Sequence, residues 1–408
     1  LVTAFWDSTQ LRRLAVCGIF VLVNVVVVVG VNIGFIFAAL NASQTYQLLT
    51  QILLSFFKIG WNVLCSPRIA QWTFYQLRAE GEDEQAAEVA VMFFSLQLFV
   101  SLANNIAIPC LVVAAIDPNC FRYVLTPVPT EKAKYLHIVC SEEALYNCII
   151  NSIEEESVAY TPPYYYSYQC SASFISYYAP TFVFMSLTTI FLVPFITALG
   201  FTWHEVSHKR QANISFQIID KVLPRIWKSI DPNASSILRN YRRPLFSANI
   251  VLVTLLNFLG ILLTFGAMFP PLAASLVVAI LATIGHVRYK IGRFMYMAEK
   301  AEQPSAVGVL EAECRDFVRT LNFSEALRMV VYFCFAFYTL FLFDTLGDAV
   351  GFNKSVWVLF VVPSLPYFYF TVKDRILAVL HRREIATLHE GEASGFELAE
   401  LSKEGSRS

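Results

Sequence analysis

Charge is what this sequence lacks most. Of its 408 residues only 15% are Asp, Glu, Lys or Arg, whereas a soluble domain carries about a quarter. The 30 basic residues face 31 acidic ones, for a net charge of −1. No positive field exists to hold a polyanion, which excludes a nucleic-acid partner. Sixteen glycines are far too few for a collagen-like chain. A disordered chain is excluded too, because such chains are poor in large apolar side chains and rich in charge. No phosphate-cradling glycine loop, haem-attachment motif or calcium loop occurs, so no cofactor is expected. What the sequence does have is apolar bulk: 56% of residues are hydrophobic and 35 are Phe. A lone aqueous domain has no use for this much. The reading is an all-α, polytopic transmembrane bundle.

A bilayer core about 30 Å thick needs about 20 apolar residues as helix, since every backbone polar group must be satisfied within the segment. Eight segments fit: roughly 14–40, 47–66, 89–116, 179–202, 247–268, 271–287, 327–346 and 355–372. The second is diluted by Gln51, Lys58 and Asn62, and the last two hold Asp344, Pro363 and Pro366. Pro270-Pro271 divides the fifth and sixth spans, predicting a tight hairpin whose second helix starts at proline, where the missing N–H is harmless. These spans organise the chain into a lead at 1–13, four spans over 14–202 with a long loop at 117–178, a basic segment at 203–246, four more spans over 247–372, and a tail at 373–408. The chain starts at Leu1 with no Met and no signal-peptide pattern, as expected of part of a longer protein whose upstream domains are not in view.

Sidedness follows from Lys and Arg, which collect in cytosolic loops. With the start placed inside, inner pieces carry 24 of them and outer pieces carry 4 (Arg122, Lys132, Lys134 and Lys354). One missed span would reverse everything beyond it, so this asymmetry favours eight spans with both ends cytosolic. Loop 117–178 then lies outside and holds Cys120, Cys140, Cys148 and Cys170, enough for two disulfides in any of three pairings. The other five cysteines, Cys17, Cys65, Cys110, Cys314 and Cys334, are expected to be free. Tyr164, Tyr165, Tyr166, Tyr168, Tyr177 and Tyr178 crowd the end of the loop like an interfacial aromatic belt. On the inner side, residues 214–230 and 306–321 show helical apolar periodicity (Val307, Leu310, Cys314, Phe317, Val318 and Leu321 in the second), so each either lies in the membrane interface or packs on the bundle. The tail beyond Glu390 is expected to be disordered.

Two constellations bear on chemistry. His204-Glu205-Val206-Ser207-His208 places two His at i and i+4 with a Glu between them, the pattern of a zinc hydrolase. Lys209 and Arg210 follow at once, and His286 is the one histidine expected at a similar depth. A solvated interfacial cluster is therefore the preferred reading, with no metal favoured and no enzymatic activity expected. The second is a polar stripe: Gln51, Ser55, Lys58 and Asn62 share one face of the second span, and Gln97, Ser101, Asn104 and Asn105 one face of the third. Asn24, Asn32, Asn249 and Asn257 add amides on the first and fifth spans. An ammonium at membrane depth is a functional candidate by default, while buried amides are also common interhelical glue. The stripes are expected to face each other, with Lys58 beside Ser101 or Asn104. Gly30 and Gly34 form a small-xxx-small pair permitting close helix approach. The two-proline link between the fifth and sixth spans leaves no room for the re-entrant filter of tetrameric cation channels.

The stretch from Tyr160 to Ser171 (YTPPYYYSYQCS), followed by Tyr178-Ala179-Pro180, resembles a segment of large surface proteins of protists and algae, as do Asn104–Pro109 (NNIAIP) and Asp117–Phe121 (DPNCF). In those proteins, extracellular parts resembling right-handed β-helix or EGF-like modules precede a polytopic C-terminal region, itself loosely similar to fungal TRP-like membrane proteins. The resemblance implies a plasma-membrane domain joined to an upstream ectodomain, and it brings no catalytic residues. A channel-like or transport-like domain of unknown substrate is the leading expectation. A non-conducting anchor or receptor is the alternative, and a membrane zinc protease the minor one. Membrane lipids are the expected partners, with a homo-oligomer as a further option.

Overall fold

A computed structural model describes residues 8–41, 44–66, 86–117, 120, 130–140, 148–159, 169–209, 248–300, 302, 304–320, 323–350 and 352–380. The helix expected at 214–230, the tyrosines at 164–168 and the tail beyond Glu390 lie outside these residues.

Nine helices follow one another among them. They are α1 (Ser8–Asn41), α2 (Gln44–Gly60, continued through Trp61–Cys65), α3 (Ala86–Leu102, continued through Ala103–Ala107 and Ile108–Ile116) and α4 (Gln169–Leu187, continued through Thr188–Leu192 and Val193–Lys209). Next come α5 (Ala248–Ile261, continued through Leu262–Gly266), α6 (Pro270–Lys300), α7 (Pro304–Thr320), α8 (Phe323–Val350) and α9 (Phe352–Leu380). Seven of these (all but α2 and α7) are long and apolar enough to cross a membrane. The eighth expected span, α2, falls short because Gln47, Gln51, Ser55 and Lys58 interrupt a 17-residue α-helix. It nonetheless packs against α1 and α4, with Leu54 and Lys58 buried.

The all-α expectation holds for the bundle but not for the loop at 117–178. There β1 (Thr130–Cys140) and β2 (Cys148–Ala159) pair antiparallel, with Thr130 opposite Ala159, Cys140 opposite Cys148 and an irregularity between His137 and Ile138. The reason is visible in Ile149, Ile150 and Ile153, since β-branched side chains favour the pleated backbone. The base of the loop is tied by a disulfide between Cys120 and Cys170, while Cys65, Cys110, Cys314 and Cys334 are free.

An aromatic cluster joins α1, α4, α5 and α8. Phe182 and Phe265 have ring centroids 5.0 Å apart, Phe265 and Phe337 5.1 Å, and Phe35 and Tyr178 6.0 Å. Leu98, Leu102, Ile106, Ile261, Leu272 and Leu276 fill the remaining centre. The outward faces carry Leu22, Phe56, Phe195, Leu281, Phe360 and Tyr367, an apolar perimeter suited to lipid. The α5–α6 hairpin forms as the prolines require, with Phe269 N–H donating to Phe265 C=O and Leu272 N–H to Phe269 C=O. Gly260 admits α3 closely: a Cβ there would lie 2.9 Å from side-chain atoms of Leu102 and Ile106. Gly30 and Gly34 do not serve that purpose, because nothing lies within 4 Å of a Cβ at either.

At 31 residues, α6 is about 46 Å long and outruns a bilayer core. Its far end buries Phe294 and Ala298 against Ala306 and Leu310 of α7, with Val307 and Cys314 packed alongside. The amphipathic stretch 306–321 thus packs on the bundle through this part of its face, while Val318 stays 70% exposed. Arg293 of α6 lies over the ring of Phe201 in α4, 3.6 Å from its centroid.

Candidate functional site

Four helices break their α-helical ladder in the same manner. At 61–65, 103–107, 188–192 and 262–266 a π-helical turn intervenes, marked at the first three by an N–H reaching back five residues: Ser66 to Trp61, Ile108 to Ala103 and Val193 to Thr188. Such turns are rare and frequent at functional sites. Proline supplies a local cause at two of them. Pro109 and Pro194 cannot donate to the carbonyls four residues back, at Asn105 and Ile190, and each ring presses on that carbonyl. Both carbonyls lie inside the π turns. Proline permits the turn rather than dictating it, since Pro180 sits in α-helix.

Two of these turns carry the central amides. Asn104 in α3 pairs reciprocally with Asn24 in α1: Asn24 Nδ2 donates to Asn104 Oδ1 at 2.7 Å, and Asn104 Nδ2 to Asn24 Oδ1 at 3.1 Å. Asn104 Nδ2 also donates to Asn62 Oδ1 in α2 at 2.9 Å, and Trp61 Nε1 donates to Asn24 Oδ1 at 2.8 Å. On the neighbouring face Asn105 Nδ2 donates to Asn257 Oδ1 in α5 at 3.0 Å and to Ser101 C=O at 3.1 Å. The second and third polar stripes therefore meet, through Asn62 and Asn104. Gln97 is buried with no partner for its Oε1 among the described residues, and Asn249 is half-buried.

The upper part of the α2 stripe does something else. Gln51 Nε2 donates to Ser176 C=O at 3.3 Å and Ser55 Oγ to Thr181 C=O at 3.1 Å, so this part of the face turns to α4. Lys58 goes with it. Its Nζ sits over the rings of Tyr178 and Phe182, 4.8 and 5.0 Å from their centroids. No hydrogen bond joins it to Ser101 or Asn104, the neighbours expected from the sequence; indeed Nζ has no hydrogen-bond partner among the described residues. The split falls where the neighbours of α2 change: Trp61 and Asn62, in the π turn, reach Asn24 of α1 and Asn104 of α3, while Lys58 faces α4. Tyr178, 0% exposed, is held in turn by its hydroxyl donating to Asn32 Oδ1 at 2.8 Å, while Asn32 Nδ2 donates to Val28 C=O.

The arrangement has two chemical capacities. The amides lock three helices by satisfying one another. The ammonium, 3% exposed, is shielded by π faces that attract a cation without accepting a strong hydrogen bond. Tyr178 and Phe182 are the neighbours of Lys58 that the sequence does not announce, because nothing in their spacing signals a lysine across the helix interface. Asp344 is buried in α8. Toward the other end of α4, His286 Nε2 and Thr197 Oγ1 are 3.1 Å apart in a hydrogen bond. The side chains of His204, Glu205 and His208 lie outside the described residues; no group of three or more His, Cys, Asp or Glu able to hold a metal occurs among the described ones.

No family model, curated protein or solved structure matches the chain. What the fold defines is a class: a helical bundle with seven apolar helices of membrane-spanning length, hence a multi-pass membrane domain.

Proposed function

We propose that this chain is the membrane region of a larger surface protein, crossing the plasma membrane eight times with both ends cytosolic, and that it is a transport-type domain in a closed conformation. One observation carries the reading. Lys58, well inside its helix, keeps a buried ammonium with no hydrogen-bond partner among the described residues. A charge at that depth is costly and marks an ion or substrate pathway more often than a structural need. The π turns beside it support the same reading, because they give these helices bending points at the depth of the polar face. The eight spans rest on the 24-to-4 partition of Lys and Arg, and the outside placement of loop 117–178 accords with its disulfide.

A second reading, a non-conducting anchor or receptor, is favoured by the closed amide set of Asn24, Asn62 and Asn104, which has the character of helix glue. Reconstituted vesicles decide between them. Transport requires Lys58→Met to fold normally while changing the flux of ions or small solutes by tenfold or more. If neither the native protein nor the variant conducts any solute above protein-free vesicles, the anchor is the correct reading.

A further inference from the structure

Five buried side-chain polar atoms have no hydrogen-bond partner among the described residues, and two of them belong to residues of the packed pair α2 and α4: Lys58 Nζ and Thr181 Oγ1. Thr181 is 0% exposed. It lies on α4 between Tyr178 and Phe182, the two residues whose rings flank Nζ, and its own carbonyl receives the Ser55 hydroxyl one turn before Lys58 on α2. Threonine in a helix ordinarily returns its hydroxyl to the preceding turn. Thr188, Thr189, Thr197, Thr254, Thr264, Thr283, Thr339 and Thr345 all do so here, each to the carbonyl four residues back. Thr181 does not. An ammonium and a hydroxyl, both donors, on one packed helix pair are therefore left without an acceptor among the described residues.

Among the described residues no carboxylate pairs with Lys58, whose titratable neighbour is the Cys110 thiol. A lone ammonium in an apolar interior is expensive, and such a group either gives up its proton or gains a counter-charge. The component that would keep Lys58 charged is an acceptor carrying one negative charge and no proton of its own. Its size is bounded by the rings 4.8 and 5.0 Å away and by the full burial of Thr181. Phosphate or sulfate would need several more donors and more than one compensating charge. A halide needs neither.

We propose that Lys58 and Thr181 form a site for a small monovalent inorganic anion of halide size, with Lys58 Nζ and Thr181 Oγ1 donating to it between α2 and α4. The proposal deepens the transport reading and rests on it for the site's purpose, naming the class of solute that the polar face handles.

The test uses the full chain in lipid vesicles or nanodiscs, with thermal unfolding followed in sodium bromide or chloride against sodium gluconate at equal ionic strength. The native protein is expected to gain several degrees in melting temperature, saturating with halide concentration, as binding to the folded state alone requires. Lys58→Met should abolish the gain. Thr181→Val, which keeps the side-chain shape and removes no existing hydrogen bond, should raise the half-saturating halide concentration tenfold or more. Should Lys58→Met fail to fold, Thr181→Val alone still decides. No saturable halide effect in the native protein, or an undiminished one in Thr181→Val, overturns the site. Flux through the same vesicles separates the two ideas. Halide stabilisation without any flux keeps the site and sinks transport; Lys58-dependent cation flux without halide stabilisation keeps transport and sinks the site.

Discussion

One turn of α2 separates two regions that treat buried polarity in opposite ways. Around Asn104, amides from three helices satisfy one another and the Trp61 indole joins them. Around Lys58, a stronger polar group is enclosed by Tyr178 and Phe182 and finds no acceptor among the described residues. Both are buried, and both lie on what the sequence presents as one stripe. The difference teaches that polar periodicity in a membrane helix identifies an inward face without saying what the face is for. A satisfied cluster behaves as a joint. An unsatisfied charge is tolerated only where something else needs it.

Breaking the joint should produce the largest effect on stability. Asn104→Leu removes three interhelical hydrogen bonds and leaves the amides of Asn24 and Asn62 in an apolar centre. The expected loss is about 2–3 kcal/mol, measured as a lower melting temperature or a lower denaturant midpoint in mixed micelles. A loss below about 0.5 kcal/mol would mean that water substitutes freely there, and the contrast with Lys58 would disappear.

The cage should respond with the opposite sign. Lys58→Met replaces an unpaired ammonium by an apolar chain of similar length, so stability should rise by about 1–2 kcal/mol in halide-free buffer. A clear fall in melting temperature would show that the cation–π contacts hold the α2–α4 interface together. Lys58 would then belong with the glue.

Gly260 sharpens the comparison from the packing side. Adding a methyl group there meets the ends of Leu102 and Ile106 at 2.9 Å, next to the turn that holds Asn104. Because both obstacles are terminal atoms of flexible side chains, Gly260→Ala should destabilise by only about 1 kcal/mol. Gly30→Ala, with open space around it, should be neutral or slightly stabilising by propensity. Equal effects from the two substitutions would refute the close approach of α3 and α5.

The last prediction concerns bonds rather than energies. With Cys120 joined to Cys170 and Cys140 directly opposite Cys148 in the hairpin, peptide mapping without reduction should recover these two pairs. Labelling of the denatured, non-reduced chain should find five of the nine cysteines free. In the native protein Cys314 should react slowly, since burial, with Glu313 adding to it, pushes its thiol above the ordinary range. Nine free thiols would remove the outside placement of loop 117–178.

Much of the architecture was legible because its causes are local. Runs of apolar residues dictated the spans of α1, α3, α4, α5, α6, α8 and α9, and Pro270-Pro271 dictated the α5–α6 hairpin. The periodicity of 306–321 foretold α7 but not where it packs, which depends on α6 continuing past the bilayer to offer Phe294 and Ala298. The hairpin of residues 130–159 was not legible, because its signal is a short β-branched run at Ile149, Ile150 and Ile153 and its pairing partner lies across a loop. The π turns had a partial signal in Pro109 and Pro194, discounted by Pro180, which does without one.

The sequence by itself determined that this chain lives in a bilayer, which of its segments are long and apolar enough to cross, and that its polar side chains line the second and third spans. Composition and period 3.6 suffice for that, since burial of apolar surface and satisfaction of backbone groups leave a membrane chain few options. Only the tertiary structure decided that Asn62 reaches Asn104 while Lys58 turns to Tyr178 and Phe182. That choice depends on which helices flank α2 at each level and on the side chains they present there. Both are properties of helices packed together, which no single helix encodes.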